Sequence, residues 1–129
     1  MVLDTSALLA LLLDEPEAEA FRIAIEEDAT RLVSSATVVE TALVIEARKG
    51  EAGGRELDLL LHKADITVVP VDAEHVALAR KAWRRFGRGR HAAGLNFGDF
   101  FAYALARSAG EPLLFKGEDF ARTDVARVI

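Results

Sequence analysis

The chain has 129 residues, no cysteine and a formal charge of −5. That length suits one compact domain over residues 1–129, and the missing thiols exclude a disulfide framework and any thiolate metal site. Hydrophobic residues make up 51 % of the chain, which excludes global disorder.

Residues 1–4, "MVLD", read as a short buried strand ending at Asp4. Thr5 or Ser6 then caps a helix through "ALLALLL". This run is far short of the ~20 residues of a membrane span. No basic residue precedes it and Asp4 interrupts the apolar stretch, unlike a signal peptide. The expectation is a soluble cytoplasmic protein with no membrane partner. Pro16 fits the first turn of a second helix, "PEAEAFRIAIEED". "RLVSS" is a second strand whose serines cap the helix "ATVVETALVIEARKG", and "GGRELDLLLHKAD" is helical after its glycines.

"ITVVPV" is a β-branched strand, placed near a sheet edge or ending at Pro70. A helix over "DAEHVALARKAWRRFG" takes Asp72 as its N-cap, and "GRGRHAAGLN" is a glycine-marked loop. The helix "FGDFFAYALARSAG" stops at Gly110, "PLLF" is a buried strand, and "ARVI" is a candidate last one. Strands alternating with helices imply an α/β domain with a mostly parallel sheet and helices on both faces.

Four acids stand out by position. Asp4 ends the first strand, where open parallel sheets bind ligands, although it could equally cap the next helix. Glu40 shares a helical stripe with Ala36, Leu43 and Ala47, so it reads as an acid on an apolar face. Asp99 lies in a first helical turn, three residues after Asn96, a spacing that also suits a capping box. Asp119 follows the strand "LLF", with Glu118 an adjacent competitor. Gathered on one rim of a sheet, such carboxylates repel each other and take up protons. A divalent cation resolves the repulsion, and oxygen-only ligation suits Mg2+ or Mn2+. A water acidified by the metal can then attack a phosphodiester.

Other chemistry is thin. His62, His75 and His91 form no ligand motif and are expected at surface or loop positions. "GRGRHAAG" lacks a P-loop's ending, and there is no G-x-S-x-G elbow. The negative charge is not uniform, because "RKAWRRFGRGRH" concentrates base. Arg84 and Arg85 read as the outer face of a helix or, with Arg88 and Arg90 of the glycine-marked loop, as candidates for holding a phosphate backbone. Trp83 is expected in the core.

"MVLDTSALLALLLDEPEAEAF", "SSATVVETALVI", "LNFGDFFAYALA" and "LLFKGEDFARTDV" resemble, in order and over essentially the whole chain, the PIN-domain ribonucleases, specifically VapC-type toxins of bacterial toxin–antitoxin pairs. The resemblance implies a three-layer α/β/α sandwich and a Mg2+- or Mn2+-dependent endoribonuclease. It implies an acidic set of Asp4, Glu40, Asp99 and Asp119, supported by Ser6, Asn96 and Thr123, with Asp124 in the same C-terminal motif. It further implies a homodimer and a VapB-type antitoxin that blocks the site and joins the toxin on promoter DNA. Two rival readings are a phosphoacceptor receiver domain, using Lys116 after a late strand, and a non-catalytic module whose acids are only caps.

Overall fold

Parallel strands cannot be joined by tight hairpins; each needs a crossover, and in this chain helices supply it. The computed structural model describes residues 1–129. Its strands are β1 (Val2–Leu3), β2 (Leu32–Ser34), β3 (Thr67–Val69) and β4 (Leu113–Leu114), all parallel in the order β3-β2-β1-β4. The helices are α1 (Thr5–Leu12), α2 (Ala18–Glu27), α3 (Ser35–Lys49), α4 (Glu51–Lys63), α5 (Ala73–Phe86) and α6 (Phe97–Ala109). Val2 lies opposite both Leu32 and Leu113.

Successive strand residues face opposite sides, and the two cores follow that alternation. Val2 and Leu113 join Phe86, Leu95, Phe100, Tyr103 and Phe115 on one face, with α5 and α6. Leu3, Val33 and Leu114 join Leu8, Leu11, Phe21 and Ile25 on the other, with α1 and α2. This is the three-layer sandwich expected, with β3 at an edge. The strand order turns around β1: β2 and β3 lie to one side and β4 to the other. The carboxyl ends of β1 and β4 therefore flank a topological switch point, the place where such sheets bind ligands.

Several expectations are corrected. Asp4, not Thr5 or Ser6, is the N-cap of α1. α4 starts at Glu51 and runs through Gly53 and Gly54 rather than after them. The reason is steric: a Cβ at Gly53 would lie 2.7 Å from the Ile45 carbonyl oxygen, so glycine lets α3 and α4 touch. The segment "ARVI" adds only an isolated bridge, Arg127 to Leu113. Trp83 is 46 % exposed rather than in the core, because α5 buries His75, Ala82 and Phe86. His75, expected at a surface or loop, is 3 % exposed. No helix is long and apolar enough to cross a membrane.

Candidate active site

Asp4 leaves β1 at the switch point. It is 3 % exposed, and Oδ2 accepts from the Ser6 amide (3.0 Å) and the Ser6 hydroxyl (2.7 Å). Oδ1 is buried with no hydrogen-bond partner. Burial pushes the Asp4 pKa above the usual carboxylate range; the Ser6 bonds oppose this and the charge of Glu40 adds to it. Ser6 also binds the other rim of the crevice, since its Oγ accepts from the Lys116 amide (2.9 Å) just past β4. One hydroxyl thus ties the ends of β1 and β4 together.

Asp99 enters from α6. Asn96 caps this helix: its Oδ1 accepts from the Asp99 amide (3.1 Å), and Asp99 Oδ2 accepts from the Asn96 amide (2.9 Å). The capping box is real, and it does not exhaust what Asp99 is exposed to. Its carboxyl is pushed up to about 7, first by burial and then by the charges of Asp4, Glu40 and Asp119, against the Asn96 bond. A cap alone would favour the ionised acid. Asp99 therefore belongs to the acidic group as well as to the helix end. Asp119, and not the adjacent Glu118, stands among the charges acting on it.

Glu40 reaches the group by a different face from the one expected. α3 buries Thr37, Thr41 and Ile45, while Leu43 is 68 % exposed and Ala47 is also exposed. The stripe of Ala36, Leu43 and Ala47 is thus no core face. Glu40 sits on the flank of α3, half-buried, with Oε1 accepting from the Thr5 hydroxyl and its carboxylate against Gly98 of α6. Asp119 is exposed and begins the short turn Phe120–Arg122.

The C-terminal segment carrying Asp119 is fastened through Asp124. The Tyr103 hydroxyl donates to Oδ1 (2.6 Å) and Arg85 to Oδ2 (3.0 Å), with Arg107 at 3.6 Å. Partial burial pushes the Asp124 carboxyl up, but Tyr103, Arg107 and Arg85 outweigh it and hold it below the usual range. Burial and the Asp124 carboxylate push the Tyr103 hydroxyl to about 12. Thr123 touches none of the four acids; its hydroxyl donates to the Phe120 carbonyl (2.7 Å) and shapes the turn.

The four candidate arginines separate. Arg85 is engaged by Asp124, and Arg90 lies 4.4 Å over the Trp83 ring. Neither Arg84 nor Arg88 donates a side-chain hydrogen bond. Lys116 gives no support to a receiver-domain reading, because its ammonium pairs with Glu15 and Glu17 (3.3 Å each) instead of the acids.

The acids suit a hard divalent cation: all donors are oxygens, one buried oxygen is unpartnered, and like charges face each other. No three His, Asp or Glu side chains are gathered tightly enough to hold one ion as they stand. Sequence reasoning missed Thr5 and Gly98, which contact Glu40. The only available signal was their adjacency to Asp4 and Asp99.

The PIN domain model matches residues 1–126. Ribonuclease VapC30 of Mycobacterium tuberculosis is 61 % identical over 99 % of this chain and 98 % of its own length. Ribonuclease VapC of Mycolicibacterium smegmatis is 59 % identical over 99 % of both. Among solved structures, M. tuberculosis VapC20, described as a sarcin-ricin loop cleaving toxin, superposes with a TM-score of 0.77 at 18 % identity, covering 97 % of this chain and 95 % of that one. Rickettsia felis VapBC2, bound to a DNA fragment from its promoter, gives 0.76 at 14 % identity over 98 % and 94 %. The acidic switch point thus has a lineage: the chain belongs to the PIN-domain family, among the VapC ribonucleases.

Proposed function

We propose that this chain is a divalent-metal-dependent endoribonuclease, the toxin of a VapBC-type toxin–antitoxin pair, with Mg2+ as its cation and Mn2+ as a substitute. The observation that carries the reading is the buried, unpartnered Oδ1 of Asp4 at the switch point, beside Asp99, whose carboxyl is pushed up to about 7 by burial and then by the charges of Asp4, Glu40 and Asp119. Asp4 and Asp99 would be the primary ligands, with Glu40 and Asp119 joining directly or through water. When bound, the cation supplies a more acidic water and neutralises charge developing on the phosphodiester. Ser6 holds Oδ2 of Asp4 and leaves Oδ1 free. The capping box fixes the backbone that carries Asp99.

Arg84 and Arg88 are the basic residues left to draw the RNA backbone toward this rim, giving a salt-dependent KM. A VapB-type antitoxin covers the site and carries the toxin onto promoter DNA. The protein works in the cytoplasm as a homodimer. Val39 and Leu43 flank Glu40 on α3, and Phe97, 77 % exposed, flanks Gly98; these side chains supply an apolar face for the second copy.

Purified Asp4→Asn and Asp99→Asn proteins should keep the wild-type circular dichroism spectrum and lose Mg2+-dependent cleavage of total cellular RNA. Full residual cleavage by either variant would sink the assignment.

A further inference from the structure

Glu40 is seated by two residues outside its own helix. On one side the Thr5 hydroxyl donates to Oε1. Thr5 is buried at the start of α1, and behind it Thr41 Oγ1 lies 3.4 Å away while donating to the Thr37 carbonyl (2.8 Å). A hydroxyl has one proton to give, and that of Thr5 is directed at Glu40. On the other side is Gly98, in the first turn of α6. A Cβ there would stand 1.8 Å from Glu40 Oε2, 2.3 Å from Cδ and 2.5 Å from Oε1. Gly98 has no positive φ, so its backbone does not require glycine. Alanine is the better helix former, and here it is refused only by the space the carboxylate fills.

We propose that Thr5 and Gly98 are positioning residues that seat the Glu40 carboxylate against the first turn of α6, beside Asp4 and Asp99. The inference rests on the reading of Glu40 as a catalytic carboxylate. Its distinctive consequence is a split between fold and site. The obstacle to a Cβ at 98 is the far end of a flexible side chain, which can swing away without disturbing the backbone. Gly98→Ala therefore spares the fold and displaces Glu40.

The test compares Gly98→Ala, Glu40→Asp, their combination, Thr5→Val, Thr5→Ser and Glu40→Gln. The readouts are melting temperature in chelator, Mn2+ affinity of the metal-free protein by calorimetry, and kcat and KM for RNA cleavage. Gly98→Ala should melt at or above the wild-type temperature yet lose about tenfold or more in both Mn2+ affinity and kcat, with KM little changed. Adding Glu40→Asp to it should recover affinity, because the shorter side chain withdraws from the new methyl; Glu40→Asp alone should lose it. Thr5→Val should lose in the same direction and Thr5→Ser should not. Wild-type Mn2+ affinity and kcat in Gly98→Ala, with Glu40→Gln inactive, would overturn the seat alone. If Gly98→Ala does not fold, equal behaviour of Thr5→Val and Thr5→Ser overturns it. Wild-type cleavage by Glu40→Gln would instead remove the reading on which the seat depends.

Discussion

Burial, together with the charges of the neighbouring acids, makes Asp99→Asn a stabilising substitution in the absence of metal. Asp99 titrates near 7 in the fold, against 3.8 for the free side chain. A carboxyl with a raised folded pKa binds its proton more tightly folded than unfolded. Stability is therefore retained below about pH 4, falls as pH rises toward 7, and stays low above it. The full shift corresponds to about 4 kcal/mol at 1.36 kcal/mol per unit. Because the group is partly open to water, screening reduces this to about 2 kcal/mol. Asparagine forgoes the attraction of a carboxylate for the start of α6, about 0.5 kcal/mol. Its amide oxygen can still accept from the Asn96 amide and keep the capping box.

The net gain is about 1.5 kcal/mol above pH 7.5, or about 5 °C in melting temperature for a chain of this length. Thermal unfolding in chelator at pH 8 and at pH 4.5 measures it. The variant should melt higher at pH 8 and lose most of that advantage at pH 4.5. A variant that melts at or below wild type at pH 8 would refute the view that burial and the neighbouring acids disfavour the Asp99 carboxylate in the fold.

Four further outcomes are expected. At pH 8, Mn2+ at about 100 times its Kd should stabilise the wild-type protein by about 2.7 kcal/mol, or about 10 °C, and Asp4→Asn should abolish the response in the same melting assay. Gly53→Ala should cost about 1–3 kcal/mol by urea unfolding, since the added methyl meets the rigid backbone of α3. Tyr103→Phe should cost about 1 kcal/mol, and Asp124→Asn more, because it weakens the hold of Arg85 as well. Phe97→Asp should turn a dimer into a monomer by light scattering; an unchanged mass would place the self-contact elsewhere.

Local hydrogen-bonding rules made much of the fold legible. Asp72 caps α5, the Asn96–Asp99 pair boxes α6, and Gly110 ends it with φ +66°, all as adjacent residues require. What stayed hidden depended on neighbours distant in sequence. On α3 the inward face is Thr37, Thr41 and Ile45, because a buried threonine can pack its methyl and return its hydroxyl to the turn before, as Thr41 does to Thr37. Hydrophobicity alone instead favours the stripe through Leu43. Trp83 is large and apolar, yet it lies one position past the face of Ala82 and is covered by Arg90. Gly53 and Gly54 look like a break until Ile45 and Glu46 are placed beside them. At the site, single acids are ambiguous between cap and ligand; Asp4 proves to be a cap and Asp99 the second half of a capping box, and both also face other acids.

The pairing of Val2 with Leu113 sets a timetable for synthesis. Asp4 leaves the ribosome more than a hundred residues before Asp119, and the central strand has no second neighbour until β4 emerges. Parallel closure over so long a separation is slow, and its entropy is lost before the contacts are gained. A half-made chain therefore carries Asp4 and Glu40 without the crevice. The site does not exist in part: its rim is assembled only once β4 and the residues after it have joined β1, long after Asp4 has been made.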